Sequence, residues 1–420
     1  RKMLLPQCKY RQKRPVIRRN LPTIVHLIAI LIILSLLANA KEMGDNIESN
    51  LERICIVGSG NWGSAIAKIV GANCACLGSC ESRVNMWVYD EIIIDNNGFE
   101  RNLSDLINEL HENPKYLPGI HLPENVVAVP DLRTACKGAT LLIFVLPQQF
   151  LTRVLPVVKK YAEPSCRCIS LIKGLDFCPQ THTPKRISEL ITDATGFPCG
   201  VLMGANVANE VALDYFCEST LACDFRDDET NMATSEIFDA PPHFLVHHIT
   251  DVAGAEVCGA LKNVIALGAG FVDGIGLGGN TKAALLRVGL LEMQRFCQLF
   301  WEDVDHKDTV FAQSCGIADL ITTCYGGRNR HCAEIFARKR LEANSDYHAE
   351  EGFEKLWKEI EGKELKGQHL QGTSTTKEIY KLLEKRKVLE SFPLVSTIYQ
   401  IAFRGQSVNT ISYGIRNSKL

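Results

Sequence analysis

Apolar residues follow two different patterns along the chain, and the pattern changes near residue 249. From Arg53 to about Gly204, short β-branched and apolar runs alternate with stretches whose apolar residues recur at helical spacing. Such alternation is typical of a doubly wound parallel sheet with helices on both faces. The runs that we predict as strands are 53–57, 84–89, 126–129, 140–146, 167–172 and 200–204.

Beyond residue 249 the strand signal ends and long helical patterns replace it. We predict helices over 252–272, 281–300, 328–341 and 373–386. The charged stretch 350–366 is expected to form a solvated helix, because its Glu and Lys residues alternate at helical spacing. Residues 217–248 carry short alternating runs and Pro241-Pro242, which favours an extra hairpin at the sheet edge.

These patterns define an α/β protein with a parallel-sheet domain followed by an all-helical domain. Its predicted parts are an extension over 1–42, a parallel-sheet domain over 43–248 and a helical domain over 249–420. The composition is that of an ordinary globular protein, with 46% hydrophobic residues and a formal net charge of −2. That charge gives no overall attraction to nucleic acid, so we expect no nucleic-acid partner.

The cysteines and the two ends of the chain carry further signals. The 17 cysteines lie among apolar neighbours without disulfide or zinc spacing, so we expect reduced, core-filling thiols and no metal site. Eight basic and no acidic residues in the first 20 precede the apolar run 24–38, which has the outline of a secretory signal peptide. A transmembrane anchor fits less well, because the run is shorter than a spanning helix needs.

The signal-like segment has a second interpretation. Met43 lies just before the first predicted strand, so residues 1–42 also fit an upstream extension that the working protein lacks, an interpretation that reduced cysteines favour. The end of the chain, Ser418-Lys419-Leu420, matches a peroxisomal address. Because a secreted protein would not use that tail, the two addresses argue against each other. We therefore expect a cytoplasmic or peroxisomal protein without stable membrane insertion.

A glycine-rich turn lies directly between the first predicted strand and a helix. It reads Gly58-Ser59-Gly60-Asn61-Trp62-Gly63 and opens the helix that begins near Ser64. In this context, glycines permit a tight turn and a close approach of the backbone to a pyrophosphate, and the helix N-terminus offers amides to the anion. Asp90 at the end of the second strand would accept a hydrogen bond from the ribose 2′-hydroxyl and repel a 2′-phosphate. The turn and Asp90 together therefore predict NAD rather than NADP. The alternative interpretation of Asp90 is a solvated residue at a strand end.

A second match to the same glycine pattern has a different context. The stretch 274–279 lies between two predicted helices with no strand before it. We therefore interpret it as a flexible connection between helices near the substrate, not as a nucleotide loop.

Three basic residues in apolar or glycine-rich settings are candidates for catalysis. Lys173 closes a predicted strand, Lys262 interrupts an apolar helix and Arg328 follows two glycines. A dehydrogenase needs a base for the hydroxyl proton and donors that polarise the oxygen. Each of these residues alone fits equally well a snorkelling side chain.

Several long motifs in order across both halves resemble eukaryotic NAD-dependent glycerol-3-phosphate dehydrogenases. The resemblance runs from about Arg53 to about Gln406 and includes GSGNWGSAIAKIVG, SLIKG, VLMGAN, CGALKNV, NTKAALLR and GIADLITTCYGGRNR. It implies a Rossmann domain followed by a helical domain, a homodimer, and an active site between the domains. It also implies interconversion of glycerol 3-phosphate and dihydroxyacetone phosphate, which would serve NADH reoxidation and glycerolipid precursor supply.

The resemblance also assigns roles to individual residues of this sequence. Lys262 would be the proton acceptor, with a pKa lowered by burial and neighbouring cations, and Asp319 would orient it. Lys173 would polarise the carbonyl and hold the nicotinamide end. Neutral hydrogen bonds to substrate oxygens would come from Asn206 and Asn263. The substrate phosphate would contact Thr323, Arg328 and Asn329.

On the cofactor side, the resemblance implies contacts beyond the glycine turn. These fall on Tyr89, Asp90, Phe150, Lys173, Ala208, Arg328, His369 and Gln371. Core packing is the alternative for Tyr89 and Phe150. The sequence departs from the family at three places: Gln148 replaces a usual His, His369 replaces a usual Lys, and residues 341–352 look like an insertion.

Two other interpretations remain open at this point. Another two-domain dehydrogenase of the 6-phosphogluconate or β-hydroxyacid type would share the same plan, but the GGRN run and the Lys262-Asn263 pair disfavour it. Residues 21–40 suggest a catalytically silent binding module routed to the membrane or to secretion. The retained residues disfavour it: Lys173, Asn206, Lys262 and Arg328.

Overall fold

A sheet of eight strands forms the first half of the described chain. The computed structural model describes residues 51–95, 97–178, 181, 183–302, 306–342, 350–365 and 370–417. In chain order the strands are β1 (Glu52–Val57), β2 (Cys80–Trp87), β3 (Val126–Val129), β4 (Leu141–Phe144), β5 (Arg167–Ser170), β6 (Cys199–Gly204), β7 (Cys217–Ala222) and β8 (Phe244–Ile249). Their order across the sheet is β8-β7-β6-β5-β4-β1-β2-β3.

Six of these strands run parallel and form the predicted doubly wound sheet. The strand β1 pairs in parallel with both β2 and β4, and β5 continues the parallel pairing to β6. All four residues of β4 are buried, as expected for a central strand covered on both faces. The continuous apolar runs in the sequence reflect this coverage, and the fold class predicted from them is confirmed.

The predicted hairpin over 217–248 is wrong. The strands β7 and β8 pair in parallel, whereas β6 and β7 pair antiparallel. Helix Asp228–Phe238, N-capped by the Asp227 side chain, connects β7 to β8 and returns the chain to the same end of the sheet. A helical crossover permits parallel pairing, which a tight hairpin turn does not.

Helices and short hairpins connect the strands of the sheet. The hairpins pair Ile92–Ile94 with Glu100–Asn102, Glu112–Asn113 with Leu117–His121, and Leu175–Phe177 with Pro184–Arg186. The helices in this half are Asn61–Cys76, Leu103–Leu110, Leu132–Cys136, Leu151–Tyr161, Ile187–Thr195, Ala208–Ala212 and Asp228–Phe238, with a 3₁₀ turn at Gln148–Phe150.

The second half of the described chain is helical, as predicted. Its helices are Val252–Gly274, Gly278–Phe300, Lys307–Ala312, Asp319–Gly326, Arg328–Glu342, Glu350–Glu364, Gln371–Lys385, Pro393–Phe403 and Ile411–Arg416, with a π turn at Ser314–Ala318. The first of them, which we call the central helix, lies in the core. It is long and apolar enough to cross a membrane, but its most apolar stretch is completely buried inside the protein.

The expected solvated helix is wrong, whereas the expected free cysteines are found. The helix Glu350–Glu364 is not solvated all round, because Phe353, Leu356, Trp357 and Ile360 on one face are buried, and Trp357 stacks on Phe336. The cysteines in the described residues are free thiols and most are buried, as expected. Residues 1–42, the tail 418–420, His369 and most of the 341–352 insertion lie outside the described residues.

The parallel strands place several candidate residues along one edge of the sheet. Gly58 follows β1, Tyr89 and Asp90 follow β2 closely, and Lys173 and Asn206 follow β5 and β6. Parallel strands end at the same edge, which is where open α/β sheets bind ligands. We therefore expect the ligand-binding site at this edge.

Candidate active site

The glycine turn after β1 is packed too tightly for side chains at two positions. Gly58 has a φ of +125°, and a Cβ there would lie 2.4 Å from the Val145 carbonyl oxygen. At Gly63 a Cβ would lie 2.3 Å from the Gly58 carbonyl oxygen. A Cβ on Gly60, in contrast, would meet nothing within 4 Å. The turn is therefore closed towards the protein and open on its outer side.

The open side of this turn fits a bound pyrophosphate. The helix Asn61–Cys76 has Gly60 as its N-cap residue and receives no side-chain cap there, so its first amides are available to an anion. The inner side is fixed by Asn113, whose Nδ2 donates to the Ser59 carbonyl and the Ser64 hydroxyl at 2.8 and 2.9 Å. Asn61 donates to Asn209 Oδ1 at 2.8 Å, which places Ala208 close to the turn.

The predicted adenosine-side residues lie at the surface, not in the core. Tyr89 is 74% exposed and Phe150 is 43% exposed, which excludes core packing for both. Asp90 is also exposed and accepts hydrogen bonds from the Ser104 amide and hydroxyl through Oδ1 at 3.2 and 3.0 Å. These bonds fix the Asp90 carboxylate and use only one of its oxygens within the described contacts.

Buried Lys262 and Asp319 form a cluster with the half-buried Lys173 at the same edge of the sheet. Asp319 Oδ1 contacts the Lys262 ammonium group, and Asp319 Oδ2 accepts from Lys173 Nζ at 2.9 Å. Only 5% of Lys262 and 2% of Asp319 are exposed, so neither side chain snorkels to water. The Lys173 stem lies next to the central helix, since a Cβ on Gly259 would be in van der Waals contact with Lys173 Cγ at 3.6 Å.

Burial and charge together set the protonation of this cluster. Burial lowers the pKa of Lys262, the Asp319 carboxylate raises it and the nearby Lys173 charge lowers it, and together these effects leave the pKa at about 7. For Asp319, burial alone would raise the pKa, but Lys173 and Lys262 outweigh it and hold the pKa of that carboxyl below its ordinary value. Near neutral pH, Asp319 is therefore ionised and Lys262 exchanges a proton readily.

A π turn brings Asp319 to this cluster. Ser314–Ala318 forms the turn immediately before the helix Asp319–Gly326. Ser314 donates to the Glu218 carbonyl at 2.7 Å, and the Cys315 amide donates to Thr220 Oγ1 at 3.2 Å, so the turn is attached to β7. Single π turns often occur at functional sites.

Lys173 and Asn206 are held by the ends of the neighbouring strands. Lys173 Nζ donates to the Gly204 carbonyl at 2.9 Å. Asn206 Nδ2 donates to the Glu218 carbonyl at 3.0 Å, and its Oδ1 accepts from the Ser219 hydroxyl at 3.1 Å. Gln148, where the family usually has His, lies beside Gly174, the residue after Lys173, since a Cβ on Gly174 would lie 3.3 Å from Gln148 Oε1.

The predicted phosphate-binding residues lie around the junction of two helices. Thr323 is buried near the end of Asp319–Gly326, and Arg328 is exposed at the start of Arg328–Glu342. The side chain of Asn329 faces inward: its Nδ2 donates to Asn263 Oδ1, and its Oδ1 accepts from the Gly372 amide, both at 2.9 Å. Asn329 thereby joins the central helix to the segment that carries Gln371, which is exposed.

Comparisons with known proteins identify the family of this chain over most of its length. Residues 53–230 match the family model of the NAD-dependent glycerol-3-phosphate dehydrogenase N-terminus. Residues 251–412 match the model of the C-terminus of the same family. The chain belongs to the NAD-dependent glycerol-3-phosphate dehydrogenase family. It is accordingly an NAD-dependent oxidoreductase that interconverts glycerol 3-phosphate and dihydroxyacetone phosphate.

Individual dehydrogenases of this family are similar along nearly their whole length. The cytoplasmic NAD⁺ enzyme of Homo sapiens is 46% identical over 366 residues, which are 87% of this chain and 98% of that protein. The NAD⁺ enzyme of Cuphea lanceolata is 44% identical over 83% of this chain and 88% of its own length. The solved glycerol-3-phosphate dehydrogenase of Saccharomyces cerevisiae is 39% identical with a TM-score of 0.77, covering 87% of this chain and 99% of its own.

Two acidic residues of this dehydrogenase were missed by sequence reasoning. Glu256 is fully buried on the central helix and accepts from the Ser188 amide and hydroxyl at 3.1 and 2.5 Å. It satisfies the N-terminus of the helix Ile187–Thr195, which has no cap of its own. Asp273 binds two cations near Arg328. Their occurrence in the largely apolar central helix was the available signal.

Proposed function

We propose that Lys262 is the proton acceptor for the substrate hydroxyl when glycerol 3-phosphate is oxidised. The observation that carries the proposal is the burial of Lys262 against Asp319 and Lys173, which lowers the pKa of Lys262 to about 7. A base with a pKa near the working pH is neutral often enough to accept a proton and returns it readily in the reverse reaction. Asp319 orients the amine.

Lys173 and two asparagines are proposed to hold the reacting oxygen. Lys173 lies next to Lys262 through the shared carboxylate of Asp319, so its ammonium group can polarise a carbonyl at the same place. Asn206 and Asn263 would donate neutral hydrogen bonds to substrate oxygens. Their amides are positioned by contacts with Ser219 and Asn329, respectively.

The phosphate of the substrate is proposed to bind at the junction beside this cluster. Arg328 offers a planar guanidinium for charge-assisted hydrogen bonds, which suits phosphate recognition. Thr323 and Asn329 would complete the site. Because Asn329 is bonded to Asn263 and to the Gly372 amide, substrate binding there would also be transmitted to the segment of Gln371.

The cofactor is proposed to lie along the edge of the sheet. Residues Gly58 to Gly63 would hold the pyrophosphate, and Asp90 would bind the adenosine ribose. Tyr89 and Phe150 would flank the adenosine on either side. Lys173, Ala208, Arg328, His369 and Gln371 would contact the rest. When bound, NAD supplies the nicotinamide that exchanges a hydride with the substrate carbon.

The proposed role of Lys262 is tested by replacing it in the full-length chain. We expect Lys262→Ala to lower turnover by about 10² to 10⁴ while leaving NADH binding, measured by fluorescence, nearly unchanged. The matched control is Lys355→Ala, since Lys355 is exposed on the helix Glu350–Glu364. Equal turnover of Lys262→Ala and wild type would exclude Lys262 as the base.

Organisation and location of the protein are proposed from the family resemblance. We propose two domains, 43–248 and 249–420, with the site between them. We also propose a homodimer, which light scattering on the purified chain tests.

We propose a cytoplasmic enzyme that reoxidises NADH and supplies glycerolipid precursors, with peroxisomal import through Ser418-Lys419-Leu420. Fluorescent fusions with and without that tail distinguish the two locations.

A further inference from the structure

We infer that Asp273 is a positioning residue for the phosphate-binding turn at Arg328. Asp273 lies in the last turn of the central helix, just before the glycine-rich connection 274–279. That connection joins two helices, as the sequence indicated, and it brings Asp273 back against the start of the next helix. The inference rests on the proposed function of Arg328 and adds a residue that does not touch the substrate.

One carboxylate oxygen of Asp273 holds two cations from different helices. Lys282 Nζ lies 2.7 Å from Asp273 Oδ2, and Arg330 Nε lies 2.5 Å from the same atom. Lys282 is only 6% exposed, so its charge is compensated mainly inside the protein. Without Asp273, the two cations would face each other and repel.

The two cations hold the chain on both sides of Arg328. Lys282 Nζ lies 4.4 Å from the ring centroid of Tyr325, which precedes Gly326 and Gly327. On the other side, Arg330 follows Arg328 by two residues and is bound directly to Asp273. Both flanks of the turn 326–328 are thus attached to Asp273, one through a cation–π contact and one through an ion pair.

Close packing supports the same connection. A Cβ on Gly270 would lie 2.3 Å from the Arg330 carbonyl oxygen, and a Cβ on Gly274 would lie 2.7 Å from the Glu334 carbonyl oxygen. Glu334 also binds Arg330, with Oε2 at 2.7 Å from Nη2. The central helix therefore lies directly against the backbone that begins at Arg328, and Asp273 fixes that backbone at its first turn.

The consequence is a specific effect on substrate binding. Lys262 and Asp319 do not contact Asp273 in the described residues, so the proton transfer step keeps its own geometry. Displacing Arg328 by a fraction of an ångström weakens the bond to the phosphate, since charge-assisted hydrogen bonds depend on distance and angle. Loss of Asp273 should raise the KM for dihydroxyacetone phosphate more than it lowers kcat.

The experiment compares Asp273→Asn with Arg328→Lys and the double variant in the full-length enzyme. We expect Asp273→Asn to raise the KM for dihydroxyacetone phosphate about tenfold, with kcat changed less than about threefold and an unchanged KM for NADH. Inhibition by inorganic phosphate should weaken in parallel. In the Arg328→Lys background, Asp273→Asn should have little further effect, because the two residues act on one contact.

The controls separate this inference from the proposed function and from a general loss of stability. Asp193→Asn, which breaks an exposed ion pair with Lys185, should leave all constants unchanged. If Arg328→Lys raises the KM but Asp273→Asn does not, the inference is wrong and the phosphate site stands. If Arg328→Lys has no effect, the phosphate site itself is wrong. Should Asp273→Asn not fold, Lys282→Gln takes its place with the same expected result, and an unchanged KM for dihydroxyacetone phosphate in that variant would overturn the inference.

Discussion

The Lys262 ammonium group contacts Oδ1 of Asp319 in a setting where both side chains are almost completely buried. Burial favours the neutral amine of Lys262, whereas the carboxylate favours the charged form. The two effects leave the pKa of Lys262 at about 7 rather than at its ordinary value of 10.5. Such a group is suited to take and return one proton at neutral pH.

We predict that the direction of the reaction determines the sign of its pH dependence. Oxidation of glycerol 3-phosphate needs neutral Lys262, so kcat should rise as pH increases through about 7. Reduction of dihydroxyacetone phosphate needs protonated Lys262, so its kcat should fall over the same range. Steady-state rates in both directions between pH 5.5 and 9 would test this, at about half-unit steps. Parallel profiles in the two directions would contradict the assignment.

Asp319→Asn should change the position of the pH profile as well as its height. The Asp319 carboxylate raises the pKa of Lys262, so its removal should shift the midpoint for oxidation to lower pH. The maximal kcat should also fall, because Lys262 and Lys173 lose their shared partner. An unchanged midpoint with a reduced maximum would mean that Asp319 acts only on orientation.

Arg328→Lys should weaken phosphate recognition specifically. A lysine keeps the charge but lacks the planar pair of donors, so we expect the KM for dihydroxyacetone phosphate to rise about tenfold. The KM for NADH should change much less. Non-phosphorylated dihydroxyacetone provides the control substrate, since its weak reduction should be the same in wild type and variant. If the KM rose for both substrates, Arg328 would not act through the substrate phosphate, and the prediction would be wrong.

Asp90 should determine the choice between NADH and NADPH. Its exposed carboxylate, fixed by Ser104, would repel a 2′-phosphate. We expect Asp90→Ser to raise kcat/KM for NADPH relative to NADH by at least about tenfold. Glu91→Gln is the matched control, because Glu91 is bound to Lys115 and Tyr116. A cofactor preference that Asp90→Ser leaves unchanged would refute this role.

The sequence predicted the features that depend on local pattern. The six parallel strands were found within a few residues, because strands covered on both faces are apolar along their length. The edge strands β7 and β8 were misassigned as a hairpin, since short alternating runs do not reveal the helix that connects them. On the helix Glu350–Glu364, its many charges concealed a buried apolar face.

Long-range contacts explain what the sequence could not predict. From the sequence, Lys262 fitted a snorkelling side chain as well as a base. Its contact with Asp319, 57 residues later in the chain, became visible only in the structure. Glu256 and Asp273 act on helices far away in the chain, and no local pattern indicates their partners. The attachment of the π turn to β7 through Ser314 is of the same kind. The resemblance to the family supplied roles that spacing alone left open.

The most direct test of the account is NADH oxidation by the purified full-length chain with dihydroxyacetone phosphate. Parallel assays replace NADH with NADPH, and replace the substrate with non-phosphorylated dihydroxyacetone. We predict activity that requires both NADH and the phosphate group, as the positions of Asp90 and Arg328 imply. A folded protein that binds NADH but reduces no dihydroxyacetone phosphate would contradict it.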